Sequence, residues 1–433
     1  MIKLLVNISL IFLIPESGYC QFQISKSPNN KENYELILET FRVTEDARGN
    51  VPFKILLEKV NTALELGLTI NEVKRDYIII SSSKSREIKI KNRITNVDDV
   101  AKFSDFLKPF IDQRLSSLKL SYDYAEFLSD LLLAICNENA FLTSIREVRK
   151  IQADPAFHNT FFTKDSIGNF FVKQFDEEFG IRPGDKILSI QNVPCKYFGS
   201  GMAYRLLSSI VDHEVSVTIE RNGLTIHKIL TRPSFQNKPE DKDSLSLTSG
   251  TLYIKPKSFL SKNFANKLLS NIQPIDSVEA IILDLQNNEG GMLVDVCDLA
   301  GLFLEAGVTI CAPKYINLSF GYPEEFKSKP PNPFRQKKVI VLINGRTASG
   351  AEIIALALRT HADAQIIGVK SLGYCDIDLG KEINNGNFIC RTKVGEYCGP
   401  GGLLISGNGI KPDIELAPLE NAIDRALKEL RRE

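Results

Sequence analysis

The stretch "KKVIVLINGRTASGAEIIALALRT", Lys337 to Thr360, decides the fold. Val339 to Ile343 is an unbroken aliphatic run, the mark of a strand covered on both faces. Asn344, Gly345 and Thr347 then interrupt it, and from Gly350 onward apolar residues recur at helical spacing. Ser349-x-x-Glu352 stands at the changeover, where a capping box would start the helix. A serine at such a bend lies beside main-chain N–H groups that the helix itself leaves unpaired. The same geometry suits a helix cap and a nucleophile with an oxyanion site beside it.

The segment upstream repeats this logic. "VEAIILDLQNNEGGMLVDVCDLAGLFLEAG", Val278 to Gly307, reads as a strand over Ala280 to Leu285, a loop closing on Gly290-Gly291, and a helix. Strand-like "TLYIKP" and helical "FANKLLSNI" precede it. Two apolar strands, each followed by an amphipathic helix, predict an α/β core with parallel pairing.

A polar linker, "QNKPEDKDS" from Gln236 to Ser244, separates this half from a β-rich segment between about Phe161 and Pro233. That segment holds "NFFVKQF", "FGIRPGDKILSIQNVP", helical "SGMAYRLLSSI" and "EVSVTIERNGLTIHKIL". The last is a hairpin turning at Asn222-Gly223. Residues 21–150 carry mostly helical patterns, such as "PFKILLEKVNTALELGL" and "DYAEFLSDLLLAICNENAFL", with one β-rich piece, "DYIIISSSKSREIKI".

Composition narrows the function. The 433 residues are 43% hydrophobic and 24% charged, with a formal net charge of zero, so the chain is ordinary globular material with no field to gather nucleic acid. "MIKLLVNISLIFLIPESGYC" at the start has a basic residue, an apolar run too short to span a bilayer, and a polar close. It fits a signal peptide, cut after Cys20, or a lipid anchor on Cys20, and so an exported protein, periplasmic or secreted. No other segment is apolar enough to span a membrane. Eight cysteines form no paired C-x-x-C motif, so structural zinc is not expected; in an exported chain Cys375, Cys390 and Cys398 are the nearest in sequence for oxidation. No H-E-x-x-H, G-x-S-x-G or phosphate-loop motif is present, and no metal or cofactor is expected.

The second half resembles the tail-specific, or C-terminal processing, serine peptidases. The carriers are "AIILDLQNNEGGMLVDVCDLAGLFL", "INGRTASGAEI", "AQIIGVKSLG" and "GNGIKPDIEL", in that order. Gly180-Ile181-Arg182-Pro183-Gly184-Asp185 resembles a segment of the PDZ domains of bacterial proteases. The resemblance implies a crotonase/Clp-like α/β peptidase core over 245–425, an inserted PDZ-like β-rich domain over 161–233, and an N-terminal mixed helical region. It implies Ser349 as nucleophile, an oxyanion hole from the amides of Gly350 and of Gly290 or Gly291, and peptide binding at Gly180, Ile181 and Arg182.

The base departs from the family pattern. One branch has a lysine where this chain has Tyr374, within "SLGYCD"; another has a histidine from an upstream segment that here resembles "CNENAFL", where Asn139 or Ala140 stands instead. Three candidates remain: His158, Lys370 and Tyr374. Histidine titrates near neutrality and burial can lower a lysine towards it, whereas a phenol starts near 10 and needs an unusual environment to become a base. The expected activity is serine-type peptidase action on extended or C-terminal segments of a peptide or unfolded protein. The rival is a non-catalytic peptide-binding protein on the same fold. Oligomeric state is not legible in the sequence.

Overall fold

The computed structural model describes residues 34–40, 42, 54, 57–58, 60–61, 66, 68–74, 77–82, 85–91, 95–116, 128–133, 141–144, 161–164, 170–174, 179–195, 203, 214–231, 243–259, 263–272, 274–316 and 325–432. The signal-peptide segment, Cys20 and His158 lie outside them. The described residues fall into two compact units, one within 11–236 together with 379–393, the other within 237–378 together with 394–433. Among the described residues no helix is long and apolar enough to cross a membrane.

The first unit begins with strands β1 (Leu68–Val73), β2 (Tyr77–Ser82) and β3 (Ser85–Lys91) in an antiparallel sheet, followed by helix α1 (Val97–Ser116). Sheet thus accompanies helix in the region expected to be mostly helical. Ile78, Ile80 and Ile90 alternate inward and meet Val100, Phe103, Leu107 and Ile111 of α1 in one core, as strand and helix periods require. Leu128, Leu131 and Leu132 of the next helical segment are buried in it too.

Strand β4 (Phe141–Ser144) follows. The β-rich segment forms a further sheet from β5 (Phe161–Lys164), β6 (Phe170–Gln174), β7 (Lys186–Ile190), β8 (Val193–Pro194), β9 (Val215–Arg221) and β10 (Leu224–Leu230), in the order β10-β9-β7-β6-β5 with β8 beside β7. The β9–β10 hairpin turns at Asn222 and Gly223, both at positive φ, as the Asn-Gly pair predicts.

The second unit is built on a six-stranded sheet, in the order β11-β12-β13-β16-β17-β20. Its strands are β11 (Ser244–Thr248), β12 (Thr251–Lys255), β13 (Ala280–Asp284), β16 (Lys338–Ile343), β17 (Gln365–Gly368) and β20 (Ile414–Glu415). From β12 to β20 every neighbour is parallel; only β11 runs antiparallel. Helix α2 (Phe264–Asn271) leads into β13, α3 (Leu293–Gly301) follows it, α4 (Gly350–His361) follows β16, and α5 (Ala422–Leu430) closes the chain. Ala422 and Ala426 of α5 pack on Ile282, Ile340, Leu342 and Ile367, the residues that point to one side of the sheet. A second sheet contains β14 (Thr309–Tyr315), β15 (Phe326–Lys327), β18 (Asp376–Ile383) and β19 (Phe388–Cys398). The predicted strand-turn-helix units and their parallel pairing are all present.

Candidate active site

The loops after β13 and β16 leave the same end of the parallel sheet, where open α/β folds place their chemistry. Two asparagines join them. Asn344 Oδ1 accepts the Asn287 amide at 3.0 Å, and Asn344 Nδ2 donates to Asn287 Oδ1 at 2.9 Å. Asn287 holds φ at 65°, a conformation that asparagine tolerates better than most residues. Thr347 Oγ1 donates to the Leu285 carbonyl at 2.8 Å, and the Ala348 amide to the Asn288 carbonyl at 3.0 Å. Ser349 is therefore delivered by a turn that is sewn to its neighbour.

Ser349 itself has φ 53° and ψ −121°, outside the regions where residues with a side chain rest. Such a backbone persists only where its surroundings determine it, at about 1–3 kcal/mol. Here the Ser349 amide donates to the Tyr374 carbonyl at 2.7 Å and to Glu352 Oε2 at 3.0 Å. Ser349 and Glu352 hold the two capping-box positions, but the half that runs from Glu352 back to the amide is the well-formed one. The serine hydroxyl makes no capping hydrogen bond of normal geometry. The bend has the strained strand-to-helix character of a nucleophile turn although the G-x-S-x-G pattern is absent.

Glu352 is fully buried and joins the Ser349 turn to the 371–374 loop. Besides the Ser349 amide, it accepts the amides of Gly373 at 2.8 Å and Tyr374 at 3.0 Å and the hydroxyl of Ser371. Ser371 Oγ in turn accepts the Ile410 amide at 2.6 Å. Burial pushes the Glu352 carboxyl up to about 7, against the four donors, which favour its ionised form.

Gly290 and Gly291 close the other wall. A side chain on Gly290 would meet the Gly350 nitrogen at 2.6 Å and Ser349 Cβ at 2.8 Å. One on Gly291, at φ 150°, would meet the Phe259 carbonyl oxygen at 2.5 Å. The Gly290 amide is taken by Asn288 Oδ1 at 2.8 Å. Among the described residues the amides of Gly291 and Gly350 have no acceptor, whereas that of Gly290 does.

Tyr374 touches Ser349 through its main chain, while its hydroxyl donates to buried Asp378 Oδ2 at 2.9 Å. Lys370 is exposed, and its Cε lies 3.3 Å from where a Gly409 side chain would start. Neither side chain has a hydrogen bond to Ser349 among the described residues. His361 ends α4 and pairs with the Thr309 carbonyl at 3.0 Å. Cys375 is buried with Sγ 3.9 Å from the Ser349 carbonyl, and burial raises its thiol well above the usual range, which disfavours a thiolate there.

In the other unit, the Gly180-Ile181-Arg182 segment is braced from beneath. Arg221 forks onto Asp185 at 2.7 and 2.6 Å and also donates to the Gly180 carbonyl at 3.0 Å. The Arg182 amide donates to Asp185 Oδ2 at 2.8 Å, and Ile181 is buried. The Gly180 carbonyl is thus already paired with Arg221 of β9, and the Arg182 amide with Asp185.

Sequence reasoning did not single out Asn287, Asn344, Ser371 or Asp378. The paired asparagines had a visible signal, since each stands at the end of an apolar strand. Ser371 and Asp378 had none.

A buried strand, a strained serine at the strand-to-helix bend and two unpaired amides beside it together form a site on an α/β domain that could hold a developing oxyanion. Residues 250–416 match the model of Peptidase family S41. The "Carboxy-terminal processing protease CtpA" of Bacillus subtilis (strain 168) is 26% identical over 242 residues, covering 55% of this chain and 50% of that protein. A "Probable CtpA-like serine protease" of Staphylococcus haemolyticus is 25% identical over 259 residues, covering 56% of this chain and 48% of its own length. The chain thus spans about half the length of the curated relatives it matches. Among solved structures, a photosystem II D1 C-terminal processing protease has the same fold, with a TM-score of 0.54 at 17% identity over 89% of this chain and 94% of its own.

Proposed function

We propose that this chain is an exported serine-type peptidase, periplasmic or secreted, that cleaves extended or C-terminal peptide segments through an acyl-enzyme on Ser349. The observation that carries the reading is the strained Ser349 backbone beside two amides without acceptors, Gly291 and Gly350. In the reaction the Ser349 oxygen attacks a peptide carbonyl, whose oxygen takes the developing charge and accepts from those two amides. Fixed donors of this kind contribute roughly 3–4 kcal/mol to the transition state. The serine proton passes to a base and then to the departing amine, and water releases the acyl group. Glu352 positions the turn; its two oxygens are already filled by four donors.

The PDZ-like segment over 161–233 gathers the peptide by strand addition to a sheet edge. Support comes from its open antiparallel sheet and from the braced Gly180–Asp185 loop. Substrate binding that survives deletion of 161–233 refutes this role.

One observation favours the rival, a non-catalytic peptide-binding protein. The residue in the lysine's place, Tyr374, donates its hydroxyl hydrogen bond to Asp378 Oδ2. A serine-directed acylating probe, applied to the full chain beside Ser349→Ala, separates the two readings when unstructured peptides are assayed in parallel. Labelling and cleavage that vanish in Ser349→Ala establish the peptidase, and single substitutions of His158, Lys370 and Tyr374 then identify the base. Absence of both in the unaltered chain establishes the rival.

A further inference from the structure

The six-stranded sheet of the second unit ends on two unlike edges. At one, β20 is only Ile414–Glu415, with Pro412 and Asp413 before it and Pro418 after it, a short edge guarded by proline and charge. At the other, β11 reads Ser-Leu-Ser-Leu-Thr, pairs with β12 without a bulge, holds no charge or proline, and is exposed along its whole length. Leu245 and Leu247 stand in register with Ile254 and Leu252 of β12, which are fully buried, yet they are themselves 38% and 40% exposed. The apolar row of the sheet therefore runs out into solvent on β11.

The hairpin fixes which main-chain groups are open. Ser249 and Gly250 turn it at positive φ, 48° and 75°, a turn that makes Thr248 and Thr251 the first hydrogen-bonded pair. Bonded and non-bonded pairs alternate from there. The main-chain groups of Ser244, Ser246 and Thr248 thus turn to β12, and those of Leu245 and Leu247 turn outward. We propose that this edge pairs with the same edge of a second copy of the chain, antiparallel and centred on Ser246.

The strand reads alike from both ends, as a contact between identical surfaces requires. In this register Leu245 meets the partner's Leu247, outward N–H and C=O groups face outward groups, and each leucine pair exchanges both main-chain bonds. The leucines of both copies gather on one face of the joined sheet, and the hydroxyl residues on the other. No charged side chain of β11 is brought against its own copy, and Asp243, just before the strand, has Oδ1 on the Lys257 amide at 2.8 Å. An extended substrate would need only the open main chain; the palindromic order of side chains is what favours a second copy. A strand on each side is far less than the about 20–30 residues of a standard interface, so the pairing is a reversible dimer.

Sedimentation velocity of the full chain from about 1 to about 200 µM tests this. The expected result is a monomer at the low end and a dimer at the high end. Leu247→Lys sets a charge against the partner's Leu245 and should raise the midpoint concentration roughly tenfold. Leu245→Pro removes an outward N–H without taking a bond from β12, and should act in the same direction. Both side chains are more than a third exposed, so the Tm should hold. Ser246→Cys reports the register. Its two copies stand on the symmetry axis with Cα atoms about 4.5 Å apart, within disulfide range, whereas the copies of Ser244→Cys are roughly 14 Å apart. Mild oxidation should cross-link Ser246→Cys into a dimer on denaturing gels and leave Ser244→Cys and the unaltered chain uncrossed. If either edge variant fails to fold, the cysteine variants and the unaltered chain carry the same decision. A chain that stays monomeric at the highest concentration, a dimer untouched by both edge variants, or equal cross-linking by the two cysteine variants would overturn the proposal. So would a monomer in which Leu245→Pro weakens peptide binding, which would assign the edge to an extended substrate.

Discussion

Glu352 Oε2 accepts the Ser349 amide at 3.0 Å, from a carboxylate with no exposure to solvent. The contact sets the backbone of the candidate nucleophile, and the other bonds to Glu352 carry that constraint into the 371–374 loop. Replacing it removes the acceptor for three amides and a hydroxyl together. Glu352→Ala is expected to lose about 3 kcal/mol or more in stability, because buried donors without acceptors each cost roughly 1–3 kcal/mol. Glu352→Gln, which keeps one acceptor oxygen, should lose less; chemical denaturation of both variants checks the order.

The raised Glu352 carboxyl also predicts a pH dependence. Its value in the folded chain is about 7, against an ordinary value of 4.5, so the folded state holds the proton more tightly than the unfolded one. Its contribution is fully present below about 4.5 and is lost as pH rises through about 7. The stability difference between the unaltered chain and Glu352→Gln should therefore shrink across that interval. A difference that grows with pH would contradict the assignment, and paired melts from acid to neutral pH read it directly.

Gly291→Ala should damage both stability and function. The added carbon would stand 2.5 Å from the Phe259 carbonyl oxygen, at a φ of 150° that side-chain-bearing residues avoid. A loss of about 2–4 kcal/mol is expected from the clash and strain together. Whatever fraction folds should label more slowly at Ser349, because the amide beside it moves; thermal melting with active-site titration measures the two effects separately.

Asn344→Ala cuts the stitch between the two loops. Asn344 Oδ1 accepts from both Asn287 and Arg346, and Nδ2 donates to Asn287. A loss of about 2 kcal/mol is expected, with Ser349 labelling reduced more than the change in global stability explains. Equal labelling at matched folded fraction would show that the stitch does not position the serine.

In the β-rich unit, Asp185→Ala should cost about 3 kcal/mol, since it leaves the partly buried Arg221 guanidinium without its forked partner. Burial alone would raise the Asp185 carboxyl, but Arg221 and the Arg182 amide hold it below the usual carboxylate range. Its stabilising contribution is thus present above the ordinary aspartate range and lost as pH falls through the lowered value. Acid unfolding of this unit, compared with Asp185→Asn, tests the sign.

Much of the architecture was legible because hydrophobic periodicity is local. Val339–Ile343 and Ala280–Leu285 announced buried strands, the glycines and asparagines after them announced turns, and Asn222-Gly223 specified its hairpin. Less was legible in the N-terminal region, where the three-stranded sheet stands beside the expected helices because β1 gains its strand state from pairing with β2.

The sequence by itself determined the strand-turn-helix units, the parallel core and the serine at the bend, since these depend on residue type and spacing within single segments. Tertiary structure alone decided which amides beside Ser349 are free, that Glu352 joins the Ser349 turn to the 371–374 loop, and that the Tyr374 hydroxyl turns to Asp378. The physical reason is that hydrogen-bond capacity is finite. Whether a donor is available for chemistry depends on which distant groups have already claimed it, and only the folded chain assigns those claims.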